Sequence, residues 1–371
     1  MKSYEHGGDI YSNEAEMDFS ANINPLGLPQ SVRNAAVAAV DSCIHYPDSR
    51  CSALRQSLAV KLQLKKEDVL CGNGAADLIF QLVWALKPEI GLVTAPSFLE
   101  YEQALRSFGS QVLLFDLREE EAFVLDPQKL LSFLQHKEKE NIRPGLLFLC
   151  NPNNPTGLGV KSLLWQPLLD YCEEKGIIVA ADQCFSEFLE DENSYSLTGF
   201  LREGRYKNLV IFQAFTKIYA MAGLRLGYCL CRNHGLLEQM EGVRQPWTVS
   251  APAQAAGLAA LGEKEFVKAT RTLISGEREY LKEGLMRLGF TVWPSLANYI
   301  FFRDEKGDKR EAWLYNSCLK KGVLIRSCSN YRGLDSRYYR ICVKTREENQ
   351  RFLKILEEIT EEREEKWQRQ L

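Results

Sequence analysis

The strongest constraint on the fold is an alternation of short apolar runs with amphipathic segments through the middle of the chain. The apolar runs lie at 69–72, 91–95, 112–117, 145–150, 176–182, 208–212 and 226–231. Helix-like segments such as 76–86, 101–108 and 163–175 separate several of them. Strands that alternate with helices predict a mainly parallel α/β sheet covered on both faces. Because ligands bind at the carboxyl ends of such strands, the residues that end the runs are the candidates for chemistry.

The pattern changes after Gly262. A long helical stretch at 265–288 is followed by the run VWPSLANYIFF, a polar turn, a helix at 311–321 and the runs GVLIR and YYRICVKT. These features predict a smaller α+β domain. We therefore expect a large domain at 41–260 and a small domain at 261–371 that ends in a charged amphipathic helix at 347–371. An amino-terminal segment at 1–40 is expected to pack with the small domain and the candidate site.

Composition and charge argue against several classes of protein. The formal net charge is -3, with both signs mixed along the chain, which does not indicate a nucleic-acid partner. Residues 1–20 lack the apolar core of a signal peptide, and no stretch approaches the length of a membrane span. The 11 cysteines include no CxxC pair and favour reduced, buried thiols over disulfides or a metal site. We expect a cytoplasmic protein without a metal.

Three strand ends carry groups suited to a phosphate or to a flat ring. The turn GNGAAD at 72–77 lets a phosphate approach backbone N–H groups at the positive end of a helix, although such a turn is as often plain turn chemistry. Phe98 could stack on a ring, the alternative being a core residue. Asn154, in the rigid turn NPNNPTG, could donate to a ring oxygen, the alternative being a bare turn.

Two further strand ends carry ionisable groups. Asp182 ends the run at 176–182, where a buried carboxylate needs a partner. A protonated pyridine nitrogen would suit it, and a structural salt bridge is the alternative. Lys217 follows the run at 208–212, where burial would lower the pKa of its amine and free it to form an imine. Arg225 could bind a phosphate through its guanidinium fork.

The order of these residues resembles a known family. The string TKIYAMAGLRLGY at 216–228, with NPNNPTG upstream and Asp182 between them, is similar to the class I and II aminotransferases that use pyridoxal 5'-phosphate (PLP). Within them the chain most resembles the branch that contains histidinol-phosphate aminotransferases and the L-threonine O-3-phosphate decarboxylases of cobalamin biosynthesis. The resemblance extends from His6 to about Arg346. It implies the fold type I of PLP-dependent transferases and a homodimer.

The resemblance also implies how the cofactor is held. Four residues would hold the ring: Lys217 as a Schiff base, Asp182 at the pyridine nitrogen, Asn154 at the 3'-oxygen and Phe98 stacked on the ring. The residues that would hold the PLP phosphate are Gly74, Ala75, Ala76, Thr216 and Arg225. Tyr46, in HYPD, would reach a phosphate across the homodimer interface. Two departures from the family pattern are Gln183 in place of the usual Glu and Ala214 in place of a hydroxyl residue, which would remove one phosphate bond.

Several segments favour the decarboxylase over the transaminase. HGGD at 6–9, DFSANINPLG at 18–27, QPWTVSAPAQ at 245–254 and LIRSCSNYRGL at 324–334 are similar to the decarboxylase's substrate segments. They imply that a phosphorylated amino acid is bound by His6, Gly7, Asn22, Asn154, Arg326 and Arg340. Phe185 stands where the transaminase branch carries a Tyr. A Phe at this position is typical of the decarboxylase. For the amino-terminal segment, a disordered tail is the alternative.

The resemblance therefore implies decarboxylation of O-phospho-L-threonine to (R)-1-aminopropan-2-yl phosphate and CO2. One alternative is a histidinol-phosphate aminotransferase, which has the same cofactor residues. Another is a decarboxylase of O-phospho-L-serine, since one methyl group contributes only about 1–3 kcal/mol of discrimination. The third is a member of the family that has a binding role without catalysis. The presence of Lys217, Asp182 and Arg225 together argues against it.

Overall fold

The computed structural model of the protein describes residues 6–368. The first residues of the predicted amino-terminal segment and the end of the predicted last helix, 369–371, lie outside the described residues. The strands are β1 (Met17–Asp18), β2 (Val69–Gly72), β3 (Ile90–Ala95), β4 (Gln111–Asp116), β5 (Leu146–Cys150), β6 (Ile178–Asp182), β7 (Leu209–Ala214), β8 (Gly227–Cys231), β9 (Thr291–Val292), β10 (Tyr299–Arg303), β11 (Val323–Leu324), β12 (Arg326–Ser327) and β13 (Tyr338–Cys342).

The helices surround these strands in chain order. They are α1 (Gln30–Ala38), α2 (Ser52–Leu62), α3 (Ala75–Leu86), α4 (Leu99–Phe108), α5 (Pro127–Lys139), α6 (Gln166–Lys175), α7 (Glu192–Tyr195), α8 (Thr198–Arg202), α9 (Phe215–Ile218), α10 (His234–Val243), α11 (Ala251–Ala260), α12 (Lys264–Arg287), α13 (Trp313–Lys320) and α14 (Arg346–Gln368). Short 3-10 helices lie at Ala39–Ile44, Lys66–Asp68, Glu119–Glu121, Ser162–Trp165 and Ser186–Phe188.

The large sheet has seven strands in the order β2-β8-β7-β6-β5-β3-β4. Each of the seven apolar runs of the sequence forms one of them, and all pairs among β3, β4, β5, β6 and β7 are parallel. The prediction of a mainly parallel α/β sheet is therefore confirmed. The strands β5 and β6 are buried along their whole length, as central strands covered on both faces must be.

The strand β8 is antiparallel to its two neighbours, β2 and β7. Twelve residues, 215–226, lie between β7 and β8, and the helix among them, α9, has four residues. A parallel connection usually crosses over through a full helix, which this segment lacks, so the chain turns back. The loop that carries Lys217 is this turn, at the carboxyl end of β7.

The carboxyl-terminal part contains a four-stranded antiparallel sheet in the order β12-β13-β10-β9. The amino-terminal segment joins this part through β1, which pairs in parallel with β11 and places Met17 beside Val323. The backbone N–H of Cys342 then donates to the carbonyl oxygen of Phe19 at 2.8 Å. Further along the same segment, α1 packs on α11, which precedes the carboxyl-terminal part in the chain. The domain boundaries at 40 and 260 stay a prediction.

Candidate active site

A cavity of about 430 Å³ lies at the carboxyl ends of the central strands of the large sheet. Most of the candidate residues named from the sequence line it: His6, Gly7, Asn22, Ala75, Ala76, Phe98, Asn154, Asp182, Thr216, Lys217, Arg225, Arg326 and Arg340. Gly74 does not line the cavity but immediately precedes α3, whose first residues Ala75 and Ala76 do. Tyr46 lies elsewhere, 79% exposed and stacked on Trp247 with ring centroids 4.4 Å apart.

Lys217 lies in α9, directly after β7, and faces the cavity. Burial lowers the pKa of its amine to about 8, and Arg340 and Arg225 act in the same direction. This is the direction predicted for a lysine beyond a buried strand. The amino-terminal segment contacts the lysine loop as well, because the backbone N–H of Asn24 donates to the carbonyl oxygen of Lys217 at 3.2 Å.

Asp182 ends β6 as a buried carboxylate with two hydrogen-bond donors. Its Oδ2 accepts from the Tyr101 hydroxyl at 2.7 Å, and its Oδ1 accepts from the backbone N–H of Cys184 at 2.9 Å. Burial, reinforced by Asp182, holds the pKa of Tyr101 well above its ordinary value, so the phenol remains a donor. The sequence did not indicate Tyr101. Its place in the first turn of a helix after a strand end is the signal that could have identified it.

The turn before α3 forms a cradle for an anion. Gly74 has φ of +84° and ψ of 165°, a conformation that glycine adopts readily and other residues do not. A Cβ atom on Gly74 would lie 2.7 Å from Nη2 of Arg225, so the guanidinium packs against the bare backbone. The first backbone N–H groups of α3, which has 12 residues, and the Arg225 cation therefore converge at one place.

Two buried arginines lie side by side in the cavity. Arg326 on β12 and Arg340 on β13 are directly opposite each other in the antiparallel register, and they are 5% and 6% exposed. Like charges in such a pair repel each other unless an anion lies between them. Arg340 donates to Asn154 Oδ1 and, at 2.9 Å, to the carbonyl oxygen of Ser20. Within residues 6–368, its Nε is buried without an acceptor.

Asn154 and the aromatic residues lie around Lys217 in the same cavity. The Oδ1 atom of Asn154 also accepts from the Tyr331 hydroxyl at 3.3 Å, which leaves its amide nitrogen as the atom available to donate. Phe98 is half-buried and lies edge-on to Tyr101, with ring centroids 5.5 Å apart. Phe185 packs edge-on against Tyr299 at 5.0 Å. The predicted roles of Asn154 and Phe98 toward a ring stay predictions.

The amino-terminal segment forms one wall of the cavity. His6 Nδ1 lies 3.2 Å from Oε1 of Glu100, a buried residue in the first turn of α4 that the sequence reasoning also missed. A Cβ atom on Gly7 would overlap the carbonyl oxygen of Ser20, so only glycine fits there. The Oδ1 atom of Asn22 is buried without a hydrogen-bond partner in the described part of the chain. His6, Gly7 and Asn22 are thus all placed at the cavity.

Gln183 stands outside the cavity and supports the loop behind it. Its amide nitrogen donates to the carbonyl oxygen of Tyr195 at 2.9 Å, and its amide oxygen accepts from the backbone N–H of Leu197 at 3.0 Å. The amide can donate as well as accept here, whereas a glutamate could only accept. Cys184 lines the cavity, where burial and then Asp182 raise the pKa of its thiol well above its ordinary value.

The family model for aminotransferases of class I and II matches residues 14–356, and the chain therefore belongs to that family. The family uses pyridoxal 5'-phosphate. The sequence is 36% identical to the threonine-phosphate decarboxylase of Salmonella typhimurium, in a match that covers 95% of this chain and 96% of the relative. In the part of the chain that the structure describes, no helix is long and apolar enough to cross a membrane.

Two solved structures show the same fold. A histidinol-phosphate aminotransferase from Clostridium acetobutylicum superimposes with a TM-score of 0.84 at 30% identity, covering 93% of this chain and 99% of its own. An L-threonine-O-3-phosphate decarboxylase from Porphyromonas gingivalis gives a TM-score of 0.78 at 27% identity, covering 92% and 99%. The predicted fold type I of PLP-dependent transferases is thereby confirmed.

Proposed function

We propose that the protein decarboxylates O-phospho-L-threonine to (R)-1-aminopropan-2-yl phosphate and CO2, as a step of cobalamin biosynthesis. The observation that carries this proposal is the pair of buried arginines opposite each other, Arg326 and Arg340, in the cavity of Lys217. Together with Arg225 at the helix terminus, they provide more cationic groups than the cofactor phosphate requires. A substrate that carries both a carboxylate and a phosphate suits this charge. The similarity to the Salmonella decarboxylase supports the same assignment.

The residues of the cavity fit PLP. The amino terminus of α3 and Arg225 suit the cofactor phosphate, because the guanidinium lies against the bare backbone of Gly74 beside the first N–H groups of the helix. The hydrogen-bonded carboxylate of Asp182 suits a protonated pyridine nitrogen, and the amide nitrogen of Asn154 suits the 3'-oxygen. Lys217 would hold the cofactor covalently through its amine. When bound, PLP supplies an electron sink for the electron pair that CO2 leaves behind.

Residues of this chain would determine which bond of the substrate breaks. Arg326 and Arg340, with His6, would hold the carboxylate and the phosphate so that the substrate cannot rotate. Binding energy from the phosphate is thereby used to orient the α-carbon. After CO2 has left, Lys217 Nζ, whose pKa burial lowers to about 8, can donate a proton to that carbon.

Product analysis of the PLP-loaded protein with O-phospho-L-threonine, without any keto acid, tests the proposal. We expect CO2 and the amino alcohol phosphate, with O-phospho-L-serine as the specificity control. Arg340→Lys should lower the rate because the guanidinium fork is lost. The matched variant Arg337→Lys should not, because Arg337 pairs with Asp335 at 2.8 Å and does not line the cavity.

A histidinol-phosphate aminotransferase is the second candidate, because the Clostridium enzyme has a TM-score of 0.84. No product from O-phospho-L-threonine, together with amino transfer from histidinol phosphate to 2-oxoglutarate, would contradict the decarboxylase. The absence of an absorbance band from bound PLP would favour the third reading, a member without catalysis.

We further propose that the protein is a homodimer whose interface includes Tyr46. The 3-10 helix Ala39–Ile44 and its flanks expose four large apolar side chains, Val37, Val40, Ile44 and Tyr46, and Tyr46 stacks on the exposed Trp247. A cluster of exposed apolar side chains is typical of a protein interface. The measurement is molar mass in solution, with Val40→Asp as the disrupting variant. A monomeric wild-type protein would contradict the proposal, and so would a Val40→Asp protein that remains dimeric with wild-type PLP affinity.

A further inference from the structure

Glu100 is a buried carboxylate in the cavity to which the proposed function gives no role. It lies in the first turn of α4, two residues after Phe98. Its Oε1 is 3.2 Å from His6 Nδ1, whereas its Oε2 is buried and has no hydrogen-bond partner among residues 6–368. A buried carboxylate oxygen without a partner is costly, so a ligand group or a proton is expected at this atom.

The charged and titratable groups that face Glu100 come from every element around it: His6 from the amino-terminal segment, Asp182 from β6, Lys217 from α9, and Arg326 and Tyr331 from the small sheet and its loop. Burial raises the pKa of Glu100 to about 7, although Arg326 and Lys217 oppose this shift. Burial, and then Arg326, Arg340 and Lys217, lower the pKa of His6. At pH 8 the free protein therefore holds a carboxylate beside a neutral imidazole.

A phosphate monoester at pH 8 is a dianion, because its second pKa is about 6. In the same cavity it repels the Glu100 carboxylate and raises the proton affinity of both Glu100 and His6. One added proton removes the conflict. A protonated Glu100 can donate to His6 or to the ligand, and the imidazole can then present an N–H group to a phosphate oxygen.

We propose that His6 and Glu100 act as one proton-linked pair that recognises the dianionic distal group of the substrate. One proton binds to the pair together with the phosphate and converts a repelling carboxylate into a hydrogen-bond donor. This inference rests on the proposed function, because the distal phosphate comes from it. The proton belongs to the pair rather than to one residue, since two interacting groups titrate together.

The pair should distinguish ligands by charge as well as by shape. A sulfate monoester has the same tetrahedral oxygens but one negative charge fewer, so it should bind with little or no proton uptake. Isopropyl phosphate and isopropyl sulfate form such a matched pair of probes. Neither has an amine, so neither ligand adds an ionisable amine to the proton count.

Calorimetric titration of the PLP-loaded protein at pH 8, in two buffers of different ionisation enthalpy, counts the protons. For isopropyl phosphate we expect an uptake of roughly 0.5–1 proton per site and an affinity that falls by up to about tenfold per pH unit above pH 8. In the double variant His6→Gln, Glu100→Gln the uptake should disappear and the affinity should become independent of pH between 7.5 and 9 (roughly the range in which the ligand stays a dianion). Glu102→Gln is the control, because Glu102 pairs with Arg106 and Arg332 outside the cavity and should retain the wild-type uptake.

The outcomes separate this inference from the function on which it rests. Binding of isopropyl phosphate to the wild-type protein without proton uptake overturns the pair and leaves the substrate class intact. Uptake that persists in the double variant also overturns it, because the proton then belongs to neither member of the pair. A wild-type protein that binds neither isopropyl phosphate nor O-phospho-L-threonine would overturn the pair and the proposed function together.

Discussion

Replacing Gly74 by alanine should weaken cofactor binding as well as folding. Gly74 has φ of +84° and ψ of 165°, and an alanine forced into that region costs about 1–3 kcal/mol. Its new Cβ would also lie 2.7 Å from Nη2 of Arg225, so the guanidinium must move. If Arg225 holds the PLP phosphate, the loss of a charge-assisted hydrogen bond adds about 1.5–3 kcal/mol to the free energy of binding. We therefore expect the Kd for PLP to rise roughly 10- to 100-fold.

The assay is a titration of the cofactor-free protein with PLP, followed by absorbance, together with urea unfolding of the same sample. Gly109→Ala is the matched control, because Gly109 has φ of +91° and nothing lies within 4 Å of a Cβ placed there. That variant should lose about 1 kcal/mol of stability through its backbone and keep the wild-type Kd. A Gly74→Ala protein that binds PLP as tightly as Gly109→Ala would show that residues 74–76 and Arg225 do not form the phosphate site.

Three further predictions concern buried polar groups. The pKa of Lys217 is lowered from 10.5 to about 8, so in cofactor-free protein the buried amine costs stability below pH 8 and this cost disappears as the pH rises to 10.5. Lys217→Met should thus be more stable by about 3 kcal/mol at pH 7, and urea unfolding at pH 7 and 10 should show the difference shrinking. Tyr101→Phe removes the donor to Asp182 Oδ2 but keeps the aromatic stack on Phe148, so urea unfolding should show a loss of about 1–3 kcal/mol, and an unchanged midpoint would contradict the buried hydrogen bond. Asn22→Ala should leave the unfolding midpoint nearly unchanged, because the buried Oδ1 has no partner within residues 6–368, while weakening the binding of O-phospho-L-threonine in calorimetry.

The sequence predicted the large sheet because each of its strands is a short apolar run between helical segments. Asp182 and Lys217 could be identified for the same reason, since each ends or directly follows a buried strand. Strand direction was harder to assign. The run at 226–231 has the composition of the runs that form the parallel strands. Only the lack of a full helix pattern in the segment before it indicates the reversal that β8 shows.

Glu100 and Tyr101 were missed because a helix pattern does not show which of its first residues face a ligand. An acidic residue in a first turn usually stabilises the helix dipole, and this ordinary reading concealed Glu100. Arg326 and Arg340 were not predicted to lie opposite each other, because this depends on the register of β12 with β13. Two separate runs in the sequence do not determine that register.

The pairing of β1 with β11 has a consequence for biosynthesis. Met17 is paired with Val323, so the segment that carries His6 and Asn22 leaves the ribosome roughly 15–60 s before its strand partner, at ordinary rates of synthesis. The large sheet can form during this interval, but one wall of the cavity cannot. Pairing β1 with β11 closes a long loop, which costs conformational entropy. The contacts that offset this cost form only when the small sheet is complete. We therefore expect the substrate site to form only when the small sheet is complete, and a translating chain stalled before residue 323 to bind O-phospho-L-threonine weakly.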